Sequence, residues 1–377
     1  MQSLWVVQLC IKKIPKGQLT WLCYNITLRL FATGKSKIYL MTRIFISLMF
    51  ALLLTGTASA ASERDVVVTI KPLHSLVQGV MGDTGEATLL IEGAQSLHGF
   101  SLKPSQVKYL QKARIVFYVD ETMESFLKTA LDSLPEGVHK VPFARLPGIE
   151  LLERREGGAW DEHDHDHGHS HTHEHDEEHK HAHEDEHDHK HGDTHNHGEG
   201  AEHGLEEDNL HIWLDPEIAQ KIVLVVAEEL AELYPENRGI YIANAETMTA
   251  RLVEMDAELA EKLAPVQDQP YVVLHDAYPY FERRYNLMAV GSLTLDPEAP
   301  ASAKKLKDIR AKLKETSARC IFREPQFDDR LVRTAAEGLD IKFGTLDPLG
   351  ADIEPGEDLY FSLLNRLANN VADCLGK

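Results

Sequence analysis

The sequence predicts an α/β protein of two lobes, each a parallel sheet flanked by helices, joined by a long rigid connecting helix. Three observations carry that prediction. Short apolar runs rich in Val, Ile and Leu alternate with helical stretches through both halves of the chain, the rhythm of parallel sheets covered on both faces. A 28-residue segment, 236–263, contains no Pro and a single Gly, Gly239. With the two ends and one polar tract set aside, about 270 residues remain, a length that suits two domains of ordinary size.

The elements follow in order. Runs at 65–70, 87–91 and 114–119 read as short buried strands, with helices near 75–81 and 104–112; Pro104 stands at the first turn of the latter. Residues 211–214 form a further strand-like run. Asp215 and Pro216 then supply the N-cap and first position of a helix reaching about Tyr234. Within 236–263, Ala245, Met248, Leu252, Met255, Leu259 and Leu263 recur at three- and four-residue steps and make one apolar stripe. A continuous helix of that length spans about 42 Å. It could be an ordinary surface helix, but its length exceeds the width of either sheet and favours a strut between lobes 61–235 and 264–377. In the second half, strands at 271–274, 318–322 and 342–346 alternate with helices near 277–285, 302–316 and 330–338, the first of them capped by Asp276.

The N-terminal region reads as a targeting signal. Met41, Thr42 and Arg43 precede an apolar run, 44–54, and then an Ala58-Ser59-Ala60 cleavage signal, so 41–60 is a signal peptide and the mature chain begins at Ala61. Eleven apolar residues are too few for a membrane anchor, which needs about 20. Residues 1–40 lie upstream of Met41 and are expected to be absent from the product; the acceptor-like Asn25-Ile26-Thr27 falls with them. No lipobox Cys stands at the cleavage site, which favours a soluble periplasmic protein over a lipid-anchored one. Only Cys320 and Cys374 then remain of four cysteines. In an exported chain they suggest one disulfide, stabilising by roughly 4 kcal/mol, with two independent buried thiols as the alternative. Neither belongs to a CxxC arrangement, which argues against a thiolate metal site.

The chain carries a net charge of −21, but from 161 to 208 there are eighteen Asp or Glu against two Lys, so the rest is only mildly acidic. No basic stripe exists for nucleic acid or anionic lipid, and nucleic-acid binding is excluded. The same tract holds sixteen of the twenty-one histidines: His163, His165, His167, His169, His171, His173, His175, His179, His181, His183, His187, His189, His191, His195, His197 and His203. With almost no apolar side chain it cannot offset its ordering entropy by burial and is expected to be a mobile loop. Imidazoles interleaved with carboxylates suit zinc, nickel or copper(II), so it reads as an auxiliary metal-binding loop rather than a solvated linker.

Five histidines lie elsewhere. His98 sits beyond the strand ending near Ile91, His211 opens its apolar run, and His275 stands at the carboxyl end of Tyr271-Val272-Val273-Leu274. In doubly wound sheets ligands bind outside the carboxyl ends of strands, so residues placed there converge. Asp347, in Gly-Thr-Leu-Asp-Pro-Leu-Gly at 344–350, ends a strand in the same way. Three imidazoles with one carboxylate or water give a tetrahedral N/O set for Zn²⁺, and the lack of Cys and Met among them argues against copper(I). His74 and His139 read as structural or surface residues.

Five motifs together carry a family resemblance: Ser-Leu-His-Gly-Phe-Ser-Leu-Lys-Pro-Ser-Gln at 96–106, His-Ile-Trp-Leu-Asp-Pro at 211–216, His-Asp-Ala-Tyr at 275–278, Arg-Glu-Pro-Gln-Phe at 323–327 and the 344–350 motif. With them, the mature chain from Asp65 to Leu375 resembles the zinc-binding (ZnuA-type) solute-binding proteins of ABC transporters. The resemblance implies that His98, His211 and His275 take the family's three metal positions between two lobes. Manganese- and iron-binding relatives usually carry a carboxylate where His275 stands, so His here points to zinc. Leu97 occupies the position where some zinc-binding members have Glu, which leaves the fourth ligand to Asp347 or to water. Cys320 and Cys374 match a disulfide position. The implied protein is a monomeric periplasmic carrier with Zn²⁺ as cargo and an inner-membrane ABC permease as partner, without catalysis of its own. A periplasmic zinc store acting through the loop is the alternative. A zinc hydrolase is less favoured, since GxSxG does not occur and the one HExxH match, at 183–187, falls inside the histidine- and acid-rich tract.

Overall fold

The computed structural model describes residues 5–13, 20–28, 65–155, 205–294 and 303–376. The signal segment 41–60 and all sixteen loop histidines lie outside the described residues. Two compact units divide the chain after Ser59. In the first, β1 (Trp5–Lys13) pairs antiparallel with β2 (Thr20–Leu28).

The second unit is α/β with two four-stranded parallel sheets. The first contains β3 (Val66–Val68), β4 (Thr88–Leu89), β5 (Ile115–Tyr118) and β6 (His139–Pro142), in the order β4-β3-β5-β6. The second contains β9 (Tyr271–His275), β10 (Ala289–Thr294), β11 (Cys320–Arg323) and β12 (Lys342–Thr345), in the order β10-β9-β11-β12. Between the sheets in sequence, β7 (Leu152–Glu153) and β8 (Asp208–Asn209) form a short antiparallel ribbon. The inner strands are apolar on both faces because helices cover both faces. Tyr271 and Val273 of β9 join the main core, whereas Val272 and Leu274 join a smaller cluster with Ile309, Leu313, Val332 and Ala335.

The helices are α1 (Lys71–Met81), α2 (Pro104–Lys112), α3 (Lys128–Asp132), α4 (Pro216–Leu233), α5 (Arg238–Leu263), α6 (Pro279–Tyr285), α7 (Ala303–Glu315), α8 (Arg330–Ala336) and α9 (Leu359–Leu375). The connecting helix α5 buries Tyr241 together with all six residues of the expected stripe, Ala245 to Leu263. It lies against α4, α1 and α9. The approach to α1 is close: a Cβ on Gly79 would fall 2.7 Å from the Met248 thioether, so a larger residue there would require that side chain to move. The C-terminal helix α9 touches α1 as well as α5. Lys71 Nζ donates to the carbonyls of Gly350 (2.6 Å) and Ala351 (3.1 Å), Trp213 Nε1 to Pro348 O (2.8 Å), and Tyr360 hydroxyl to Trp213 O (2.8 Å). The main apolar core therefore runs without a break from the first sheet to the second.

Two expectations are corrected. Residues 211–214 are a 3₁₀ turn, not a strand: Leu214 N–H bonds to His211 O and Asp215 N–H to Ile212 O. A short, fully buried apolar run looks the same in either state. What decides it is Pro216, which holds Asp215 extended while the Asp215 carboxylate accepts from Glu217 N–H at 2.8 Å. Asp276 does not cap the following helix. Pro279 sets the start of α6 with Tyr278 as N-cap, and the Asp276 carboxylate is taken by Arg155 instead. Cys320, at the start of β11, is bonded to Cys374, near the end of α9, so the disulfide reading holds over that of two thiols.

The turn after β5 is pinned by Glu124, which is fully buried and accepts from the amides of Val119 (2.6 Å) and Asp120 (3.2 Å). Burial pushes its carboxyl up from 4.5 to about 8, against the lowering effect of these hydrogen bonds. The folded protein therefore holds a proton there that the unfolded chain releases above pH 4.5, and stability is lost as pH rises from about 4.5 to about 8. Glu124→Gln, which imitates the protonated form, should match the parent's melting temperature near pH 5 and exceed it at pH 8.5. Parallel melting-temperature profiles across that range would refute this.

Candidate metal centre

The three histidines reach one point from three different supports. His98 lies on the loop between β4 and α2, where its N–H donates to Ser96 Oγ at 3.1 Å. Gln106 fastens that loop to the first sheet: its amide donates to Leu90 O and its oxygen accepts from Lys103 N–H at 2.7 Å. His211 follows β8, and Asn209 Oδ1 accepts from both its backbone N–H (3.1 Å) and its ring Nδ1 (3.0 Å). His275 is the last residue of β9, and its Nδ1 lies 2.7 Å from Glu324 Oε1, just past the end of the neighbouring strand β11.

These partners settle the chemistry of the rings. Nδ1–H of His211 is committed to an amide oxygen and Nδ1–H of His275 to a buried carboxylate, which leaves both Nε2 lone pairs free for a cation. The two Nε2 atoms are 3.4 Å apart. Tetrahedral zinc with Zn–N bonds of 2.0–2.1 Å requires about 3.3–3.4 Å between ligand nitrogens. The ring of His98 lies with its centroid 6.0 Å from that of His211 and 5.6 Å from that of His275. One nitrogen from each ring falls within 4.8 Å of the others. His211 and His275 are buried and His98 is half-buried. Burial, and beyond it the charges of His275, His98 and Arg154, hold the His211 ring well below its ordinary pKa, so it stays neutral and able to ligate.

On one side the cluster closes a cavity of about 10 Å³, walled by Leu97, Trp213, Phe327 and Leu349, which is about the volume of one water position. On the other it borders an open cavity of about 260 Å³, lined also by Thr122, Met123, Arg154 and Asp208. Asp347 is not a member of the group. Its carboxylate accepts from the amides of Leu349 (3.0 Å), Gly350 (3.0 Å) and Ala351 (2.6 Å) and from Gln326 Nε2 (2.7 Å). It holds the turn that presents Pro348 O to Trp213, with Oδ1 taking three of these hydrogen bonds and Oδ2 one. His74 Nε2 donates to Ala87 O at 2.9 Å, and His139 pairs with Glu229 at 3.0 Å; neither approaches the cluster. Sequence reasoning missed Asn209 and Glu324. The available signal for Glu324 was its place one residue beyond a strand end, inside the 323–327 motif.

With this geometry in hand, comparison with known proteins is informative. The family model described as "ZnuA: Zinc-uptake complex component A periplasmic" matches residues 66–374. Over 334 residues the chain is 42% identical to the high-affinity zinc uptake system protein ZnuA of Brucella suis biovar 1, covering 89% of this chain and 98% of that one. It is 34% identical to the protein of the same description in Yersinia pestis, covering 86% and 95%. Among solved structures, a crystal structure of ZnuA superimposes with a TM-score of 0.64 at 25% identity, covering 84% of this chain and all of that one.

Proposed function

The chain belongs to the ZnuA family of periplasmic zinc-uptake components, and from that premise we propose that it captures Zn²⁺ with high affinity and delivers it to an inner-membrane ABC permease. In this reading His98, His211 and His275 are the protein ligands, set between the two lobes, and water rather than Asp347 completes the tetrahedron. One observation supports it above the rest: two buried imidazoles with their Nδ1 atoms already committed hold their Nε2 atoms at the spacing of a zinc tetrahedron. The protein acts in the periplasm, reached through the 41–60 signal, as a monomer. The histidine- and acid-rich tract supplies auxiliary zinc sites, each weaker than the preorganised cluster.

Calorimetric titration of residues 61–377 with Zn²⁺, with and without 161–204, tests this reading. The shortened protein should keep one tight zinc ion and lose several weaker ones, and Mn²⁺, which prefers carboxylate and water, should compete poorly for the tight site. Loss of all tight binding on deletion would place ligands of the tight site in the tract and favour a zinc store.

A further inference from the structure

The zinc ligands His211 and His275 belong to different halves of the chain, yet a continuous set of polar contacts joins them. Arg155 follows β7. Its backbone N–H donates to Asp276 Oδ2 (3.3 Å) and its Nε to Asp276 Oδ1 (2.9 Å), while Nη1 pairs with Glu282 Oε2 on α6 at 2.7 Å. Asp276 is the residue after His275. Its carbonyl accepts from Asn209 Nδ2 at 2.6 Å, and the oxygen of the same amide holds the His211 ring. Tyr280, also on α6, closes the arrangement: its hydroxyl donates to Asn209 O (2.6 Å) and accepts from Leu152 N–H (3.0 Å).

Resting on the zinc-capture reading, we infer that Arg155 is a positioning residue for the metal centre: through Asp276 and Asn209 it fixes the His211 ring relative to the strand end that carries His275. The planar guanidinium can hold two carboxylates at once in a set direction, which lysine cannot. Asp276 and Glu282 are both buried, so removing the cation leaves two like charges facing each other with nothing to hold them together. Their separation moves residue 276, the Asn209 amide follows its carbonyl, and the spacing between the two Nε2 atoms is no longer set before metal arrives. Such outer contacts typically change metal affinity 10–100-fold.

The test uses the full chain with free zinc buffered low enough that only the tightest site fills, and Co²⁺ as a visible-absorption probe of tetrahedral geometry. Arg155→Met and Asn209→Ala should each weaken that site about 10–100-fold and alter the Co²⁺ spectrum. Arg155→Lys should fall between Arg155→Met and the parent, and the double variant should lose less than the product of the single losses, because both interrupt one path. A change confined to overall stability would leave the spectrum alone. If Arg155→Met folds and keeps parental affinity and spectrum, the inference is overturned. Should that variant fail to fold, Asn209→Ala decides in the same way, since it leaves the ion pairs in place. Failure of the zinc-capture reading itself looks different: His275→Ala would then bind zinc and cobalt as the parent does.

Discussion

Replacing His275 with alanine is expected to weaken the tightest zinc site by at least about tenfold, because outer-contact losses alone cost 10–100-fold and a ligand does more. The substitution also strips Glu324 of the imidazole it faces at 2.7 Å and leaves a buried carboxylate beside Tyr278, so some stability goes with it. Far-UV circular dichroism separates that loss from the loss of metal. The measurement must read the tightest site, either by chelator competition or after removing 161–204, since weaker sites elsewhere would mask it. Unchanged affinity at that site would take His275 out of the metal centre and with it the three-histidine proposal.

The second large effect concerns the disulfide. The Cys320–Cys374 bond spans a sequence separation of 54 residues, and a loop of that length contributes about 4 kcal/mol on the chain-entropy account. Cys320→Ser with Cys374→Ser should therefore lower the melting temperature by on the order of 10 °C. Zinc affinity should change far less. Cys320 begins β11, whereas Glu324 lies beyond its other end, about 13 Å further along an extended strand. Equal melting temperatures for the parent in oxidising and reducing buffer would count against a structural bond, and a zinc loss as large as that of His275→Ala would show that it serves the site directly.

What could be read from the sequence follows the locality of the signal. Inner strands such as Tyr271–His275 announce themselves because both faces are buried and nearly every residue is apolar. The edge strands His139–Pro142 and Ala289–Thr294 give a weaker signal: one is half polar and ends in Pro, and the other carries a Gly and small residues. The C-terminal helix Leu359–Leu375 is legible in its three- and four-residue apolar spacing. The three clustered histidines were legible from their places at strand and turn ends. Their supports were not: Glu324 lies 49 residues from His275, and Arg155 lies 121 from Asp276. No periodicity or short motif encodes a hydrogen bond between such distant positions. Asp347 is a further case: its carboxylate accepts from the amides of its own turn, contacts that its strand-end position in the sequence does not announce.

The unbroken core has a consequence for how long the protein survives. Because α5 buries its stripe against helices of both halves, melting of either half uncovers part of that stripe, and the main core should open in one cooperative step. Zinc bound at the proposed centre would then oppose the opening of that whole core. Free zinc at a thousand times its dissociation constant adds about 4.1 kcal/mol to the folded state, roughly a thousandfold fewer unfolded molecules. Proteases act on the unfolded fraction. If the chain captures zinc as proposed, its steady-state amount should follow the metal supply around it, with turnover fastest when zinc is scarce.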